Sequence, residues 1–546
     1  MPSLTKKTWK ILNKDLKKPL IERVLEGRKL ENISVSLDDL HDPFLLKDCQ
    51  KAVERIQEAI KKKERVMIYG DYDVDGITSA NLLYQVLRSL GAEVSVRLPH
   101  RVNDGYGLNE KFIKECQNLK VALIITVDCG VSNKPEIEQA NTAGIDVIIT
   151  DHHSPPPELP NALAILNPKQ EDCEYPNKEI VGVGVAFKFA QALFKTFEKP
   201  SDEVYQYLDL VALGTVADCA QIVGENRVFV KCGLDRLKNT INPGLRSLMQ
   251  ASKVDTNNLS TYTLGFILSP RLNAAGRLED PLFAFNLLNG QLQNSAFLDK
   301  INVKRQELVR TFLKEAEELL GEVKTSQKIL IVGSDQWHVG VIGLIAGRLC
   351  EKYNRPAIAI TKLGDQYVGS ARSIGEFNVI ETLRKFDDLF THYGGHKGAA
   401  GFSVPLCNVK NLTQGLEKEA KKALKGVKLT AKIQIDTEIL PQEITWENLE
   451  ALEKLEPFGL GNPQPRFLLR NVKISDLRLL GKEKTHLGFG LDLENQPLRA
   501  IAFRFGEHYR KLREHRSLDL VFSLEKNTWK GNTNMQAKIE DIAVKR

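Results

Sequence analysis

The chain has 546 residues, a net charge of +6 and a composition that is 42% hydrophobic and 27% charged; this excludes a single core and predicts three or four domains without a large disordered fraction. Its eight cysteines, at positions 49, 116, 129, 173, 219, 232, 350 and 407, form no C-x-x-C pair, which argues against a zinc ribbon or disulfide framework and for reduced thiols in the cytoplasm. No apolar run reaches membrane-spanning length and no h-region accompanies the N-terminal lysines, so no membrane association is expected, while the modest positive charge permits nucleic-acid binding without requiring it.

Residues 1 to 50 are basic, then mixed, with Trp9 and Ile11 as anchors and no visible chemistry. Ala52, Val53, Ile56 and Ile60 follow helical spacing, and Lys61 to Lys63 close that helix as cations near a C-terminus should. The apolar run Val66 to Tyr69 then delivers Asp71-Tyr72-Asp73-Val74-Asp75-Gly76 to a helix over Ile77 to Leu90. Three carboxylates within five residues repel one another at a strand end, and a hard divalent metal with oxygen ligands relieves that repulsion. An Asp-rich turn can also be a simple N-cap. Repetition weighs against that here, because Val121 to Val127 stops at Asp128 and Ile145 to Thr150 stops at Asp151-His152-His153. Three strand-like runs ending in acidic or imidazole groups predict the functional edge of an open parallel α/β sheet.

Between those strands, Val94 to Leu98 leads into Arg101 to Leu108, where Arg101 and Tyr106 either set a cation and a ring over a substrate entrance or form a rigid turn. A Pro-rich loop covers Ser154 to Pro160. Gly182-Val183-Gly184 opens an apolar helix, but position 187 is Phe, so tight helix packing explains the glycines better than a dinucleotide fingerprint. Leu208 to Ala217 is apolar and ends at Asp218, a further carboxylate for the same site. From Leu237 to Lys324 the pattern is helical, and the stripe from Leu298 to Val323 predicts a long strut. Ahead of it, Arg271-Leu272-Asn273-Ala274-Ala275-Gly276-Arg277 combines close-packing small residues with phosphate-binding forks.

A second α/β unit opens at Ile329 to Val332 and carries three glycine-rich loops, at 333–340, 369–373 and 394–402. Exposed backbone N–H groups beside Ser370, Arg372, Gly394, Gly395 and His396 predict a phosphate pocket. After Lys428, short alternating strands interleave with Phe489, Phe503, Arg504, Phe505, Tyr509, Arg510, Trp529 and Lys530. That is the composition of a small OB-type barrel that stacks bases, although some of these rings must be its core.

Taken in order, GDYDVDGITS, VDCG, DHH, ALGTVAD, RLNAAGR, WHVGVIGLIAGR, GSARS and GGHKGAAGF resemble the DHH phosphoesterase superfamily, and within it the bacterial single-strand-specific 5′→3′ exonucleases. LEPFGLGNPQPRF (455–467) is similar to the start of that group's OB-fold region. The resemblance implies an N-terminal extension (1–50), a parallel-sheet DHH catalytic domain (51–235), a helical connector (236–325), a DHH-associated phosphate- and DNA-binding domain (326–426) and an OB-fold single-strand-binding domain (427–546). It implies Asp73, Asp75, Asp128, His152 and Asp218 as metal ligands, Asp71 and His153 acting on metal, water or scissile phosphate, and Asp151 orienting an imidazole. Arg101 and Tyr106 fall at the implied strand entrance. Arg271, Asn273, Arg277, Gln306, Ser370, Arg372, Gly394, Gly395 and His396 fall in segments implied to face DNA and its 5′-phosphate.

Mixed carboxylate and imidazole ligands suit Mn²⁺, with Mg²⁺ an alternative, and two ions about 3.5–4 Å apart would activate water for in-line attack on phosphorus. The expected product is one 5′-mononucleotide per step, in DNA repair and recombination. A cytoplasmic monomer acting on single-stranded DNA is expected, with a RecQ-type helicase and single-strand-binding protein as partners. Two readings compete: a short-oligonucleotide or cyclic-dinucleotide phosphodiesterase or manganese pyrophosphatase, which needs no barrel, and a DNA-binding replication scaffold with a dead site, which would have lost metal ligands. Cys129 and Cys219 adjoin ligand aspartates and are given no role.

Overall fold

The computed structural model describes residues 3–30, 33–105, 107–292, 295–493, 497–515, 517–529 and 531–544. Two compact units emerge, one of residues 35–427 with 459–461, the other of residues 1–34, 428–458 and 462–546. Among the described residues no helix is long and apolar enough to cross a membrane.

Strand β1 (Thr8–Asn13) belongs to the second unit, while β2 (Arg65–Gly70), β3 (Glu93–Arg97), β4 (Val121–Val127), β5 (Asp146–Thr150) and β6 (Ala164–Leu166) build a sheet in the first. Its order is β3-β2-β4-β5-β6, all parallel, with Ile68 opposite Val96 on one side and Ile125 on the other. Near-continuous burial of β2 and β4 reflects helices on both faces of a parallel sheet. The chain leaves β2 for β3 on one side and returns to β4 on the other, so the strand order reverses at the β2/β4 boundary, where α/β sheets hold their ligands. Helices Val74–Ser89, Gly182–Thr196 and Leu208–Ala217 pack together over one face, inside one large apolar core.

Helix Ala296–Leu320 has 25 residues, about 37 Å at 1.5 Å per residue, matching the predicted strut. It leads to a sheet of β7 (Leu330–Gly333), β8 (Ala357–Leu363), β9 (Gln366–Arg372), β10 (His392–His396) and β11 (Ala399–Pro405) in the order β10-β11-β9-β8-β7. Two of the three expected glycine-rich loops are therefore strands: residues 369–372 lie in β9, and 394–396 with 399–402 form the β10/β11 hairpin. Their small residues hide the period-2 alternation by which strands are read. Phe402 supplies the bulk instead, since a Cβ on Gly369 would lie 2.1 Å from the Phe402 ring.

The second unit contains β12 (Lys432–Glu438), β13 (Phe467–Leu480), β14 (His486–Asp492), β15 (Pro497–Ala502), β16 (Ser517–Trp529) and β17 (Asn532–Val544). Pairing runs β13-β14-β15-β17-β16, and β16 pairs back to β13, closing a five-stranded barrel that leaves no edge within the ring. Phe467, Phe489 and Phe522 fill its core, while Phe503 is exposed. Strand β1 pairs in parallel with β12, Thr8 opposite Lys432 and Ile11 opposite Ile435. Helix Leu20–Arg28 adds Arg23, ion-paired with Glu443, and Arg28, paired with Asp436. The segment expected to begin a separate N-terminal extension is thus integral to the barrel's own sheet.

Candidate functional site

Each acidic motif begins where a strand of the parallel sheet stops. After β2, Asp73 caps helix Val74–Ser89, accepting the Asp75 and Gly76 N–H groups at 2.9 and 3.1 Å. Asp75, in the first turn and buried, accepts the Gly182 and Val183 N–H groups at 2.8 Å each. These come from the first turn of helix Gly182–Thr196, whose orphan donors and dipole favour a carboxylate. Asp128 follows β4 in a left-handed conformation (φ 58°), with its N–H on Thr150 O at 2.9 Å. Asp218 caps the C-terminus of helix Leu208–Ala217 and is partly exposed.

Asp151 follows β5 and has its oxygens committed inside the protein. Oδ1 accepts the His152 and His153 N–H groups at 2.7 and 3.0 Å and lies 2.8 Å from His153 Nδ1, while Oδ2 accepts the Val131 N–H at 3.0 Å. It fixes the ring of His153 and turns both histidines toward Asp128.

Three sets of ligand atoms converge within 4.8 Å: Asp71, Asp73 and Asp128; Asp75, His152 and Asp218; and Asp128, His152 and His153. His152 Nε2 lies 3.1 Å from Asp128 Oδ1, 3.9 Å from Asp75 Oδ2 and 4.0 Å from Asp218 Oδ2. It is buried and makes no hydrogen bond among the described residues, as a nitrogen aimed at a cation would be. Burial and the neighbouring Asp73 carboxylate push Asp71 up to about 8 and Asp218 up to about 7. Burial, then Asp218 for Asp75 and Asp75 for Asp128, drives those two well above the ordinary carboxylate range. So many carboxylates ionise together only beside cations, and the mixed oxygen and nitrogen donors fit Mn²⁺ or Mg²⁺. Burial and then His153 hold His152 neutral, whereas in His153 the Asp151 carboxylate outweighs burial and raises it to about 9.

Beside the carboxylates stands a cluster of arginines. Arg101 lies 3.8 Å over the Tyr72 ring and donates to Gly276 O, and Arg277 donates to Gly340 O at 3.1 Å. Burial, then Arg101, Arg305 and Arg372, lowers Arg277 to about 9, and burial with Arg101 lowers Arg372. Concentrated guanidinium charge of this kind suits a phosphate. The backbones here touch: a Cβ on Gly276 would lie 2.2 Å from Tyr72 O, and one on Gly340 2.0 Å from Arg277 O. Ser370 and Arg372 alternate along β9 and share a face of the sheet. His396, on exposed β10 with Gly394 and Gly395, stacks on His153 at 5.7 Å and 12°, which puts it against the acidic centre rather than at a distance from it.

Other expected DNA contacts have partners inside the protein. Arg271 donates to Asp299 at 2.9 Å and to Ile267 O at 2.6 Å, and Asn273 accepts the Val74 N–H at 3.2 Å. Gln306 is exposed on helix Ala296–Leu320, and Tyr106 lies outside the described residues. Sequence reasoning missed the Gly182 and Val183 N–H groups, which no side-chain pattern reveals. It also missed Tyr72 as the ring under Arg101, and Lys169, whose charge acts on Asp218, His152 and His396.

Comparison with known proteins matches residues 65–215 to the N-terminal domain of the DHH family, 326–425 to the DHHA1 domain and 435–541 to the RecJ OB domain. The chain is 34% identical over 555 residues to the single-stranded-DNA-specific exonuclease RecJ of Escherichia coli (strain K12), covering 96% of each protein. It is 37% identical over 513 residues to the protein of the same name from Bacillus subtilis (strain 168), covering 93% of this chain and 64% of that relative's length. Among solved structures, RecJ of Thermus thermophilus in complex with Mn²⁺ superposes with a TM-score of 0.82 at 27% identity, covering 99% of this chain and 80% of that one. The Mg²⁺ complex gives a TM-score of 0.78 at 26% identity, with 99% and 79% covered.

Proposed function

Because the chain belongs to the RecJ family, we propose that it is a metal-dependent exonuclease that degrades single-stranded DNA from the 5′ end to 5′-mononucleotides. The observation that carries this reading is the convergence of three carboxylate and imidazole sets, linked through Asp128 and His152, beside an arginine-lined seat. Asp71, Asp73 and Asp128 would hold one divalent ion, and Asp75, His152 and Asp218 a second. Bound Mn²⁺ or Mg²⁺ supplies Lewis acidity toward phosphoryl oxygens.

The remaining work falls to the protein's own groups. Gly182 and Val183 aim Asp75. Asp151 holds Nδ1 of His153 and so fixes that ring beside Asp128, and His396 stacks on the same ring. Arg101, Arg277, Arg372 and Ser370 seat the terminal 5′-phosphate, which sets both polarity and step length. Arg271 and Asn273 brace neighbouring backbone, and the barrel binds the strand farther along. The same reading includes DNA repair and recombination, a cytoplasmic monomer, a RecQ-type helicase supplying single strands and a single-strand-binding protein; those rest on family membership.

The test is digestion of an internally labelled, 5′-phosphorylated single strand with Mn²⁺ or Mg²⁺, beside its duplex, a dinucleotide and pyrophosphate. Mononucleotides released from the 5′ end of the single strand alone are expected. Cleavage restricted to the small substrates would overturn the assignment in favour of a phosphodiesterase or pyrophosphatase, and binding without cleavage in favour of a scaffold. Asp73→Ala should still bind the strand in a mobility-shift assay while releasing no nucleotide; residual digestion at the wild-type rate would remove Asp73 from the ligand set.

A further inference from the structure

Near the site, residues 261–278 form one continuous helix whose segment Thr263–Leu268 is wound as a π-helix, a rare form that recurs at functional sites. On its outer side Tyr262 and Phe266 are 63% and 70% exposed, and no large apolar residue among those described is more exposed than Phe266. Four residues apart, the two rings stack on each other at 5.0 Å and 21°. Two preordered aromatic rings left to water form a platform with a free π-face.

The position of this platform identifies its occupant. Gly265, between the rings, approaches Val216 so closely that a Cβ there would lie 3.2 Å from Val216 Cγ1; Asp218 is two residues farther on. In the other direction the same helix runs directly into Arg271, Asn273 and Arg277. Arg271 grips the π segment from within, through Ile267 O and Asp299, so the platform is held rather than loose. The platform thus stands on the helix that also carries Arg277 of the arginine seat, and beside the helix that ends at Asp218, so the strand that those groups hold is its candidate occupant. Stacking on a ring face suits any base without reading sequence.

We propose that Tyr262 and Phe266 form a base-stacking subsite for single-stranded DNA, taking a base of the strand beyond the terminal nucleotide. This rests on the exonuclease reading above. The pair grips the body of the substrate while the arginines hold its phosphate end, so it acts on substrate retention and not on the bond-breaking step.

Full-length wild type, Phe266→Ala, Tyr262→Ala and the conservative Phe266→Trp would be compared with Mn²⁺ on 5′-phosphorylated oligodeoxythymidylate. Phe266→Ala should raise KM roughly ten-fold, the scale of losing one stacked base, with the loss in KM rather than kcat, and Phe266→Trp should restore it. In parallel, 5-iododeoxyuridine placed along the strand should photocrosslink to Tyr262 or Phe266, located by mass spectrometry. Both residues are exposed, and equal melting temperatures of the variants would confirm intact folding. A wild-type KM for Phe266→Ala, a loss in kcat that Trp does not rescue, or crosslinks confined to other residues would each overturn the proposal. If wild type releases no nucleotides, the exonuclease reading fails, while the crosslink still reports on the platform independently.

Discussion

Asp75 is oriented by two N–H groups that lie 107 and 108 residues away in sequence, and Gly182 at their centre has no room for a side chain. A Cβ there would sit 2.7 Å from Asp128 Cβ and 2.8 Å from Asp128 Oδ1. Gly182→Ala should displace the Asp128 carboxylate by a fraction of an ångström to an ångström. Turnover should fall by about 100-fold with weaker Mn²⁺ binding by titration calorimetry; unchanged Mn²⁺ affinity would show that Asp128 does not move. The same crowding sets a pH dependence. Asp71 and Asp218 are raised to about 8 and about 7 from 3.8, by burial first and the Asp73 carboxylate next, so without metal the folded state binds more protons than the unfolded state across that window. The contribution of these two carboxyls to stability in EDTA should therefore be fully present below about pH 4 and be lost as pH rises through 8, and Mn²⁺ should stabilise most at the alkaline end. A melting temperature in EDTA that rises over the same range would contradict this. The aspartates and histidines are legible in the sequence because each follows an apolar run. The Gly182 N–H groups are not, because a backbone donor leaves no trace in residue type.

At the scale of elements, sequence reading succeeds where apolar side chains mark the period and fails where glycine replaces them. The runs ending at Gly70, Val127 and Thr150, and the long helix from Ala296, fall close to where the spacing puts them. Strands β9, β10 and β11 look like loops in the sequence because Gly369, Gly394, Gly395 and Gly401 lack side chains, and Phe402 covers one of them from a neighbouring strand. Gly369→Ala should force that ring aside at a cost of about 1–3 kcal/mol, measured by denaturant unfolding. It should also disturb Ser370, the next residue in β9. A variant as stable as wild type would mean that the ring has room to move. The π segment is equally illegible, since nothing in residues 263–268 separates one extra backbone step from an ordinary helical turn.

In the molecule as a whole, the boundary expected near residue 50 gives way to a unit assembled from both sides of the catalytic region. Strand β1 is an edge neighbour of β12, its Trp9 Nε1 donates to Asp541 Oδ2 at 2.8 Å, and Arg23 is wholly buried against Thr437, Glu438 and Glu443. No local pattern in residues 1–34 points to partners some four hundred residues on. A protein lacking residues 1–34 should leave Asp436 and Glu443 with unpaired, partly buried charge, at about 3–5 kcal/mol. Its C-terminal unit should unfold at lower denaturant while the metal-binding unit melts as before; coincident wild-type transitions would make the segment dispensable. The pairing also orders events in time. Thr8 is synthesised 432 − 8 = 424 residues before Lys432, the residue it faces, and at about 5–20 residues per second it waits roughly 20–80 s for that partner. By then the catalytic region has left the ribosome and can have folded, so ribosomes that stall after it, before the barrel strands are made, would release chains with a competent acidic centre but no barrel, and with β1 exposed as an unmated strand for proteases to recognise.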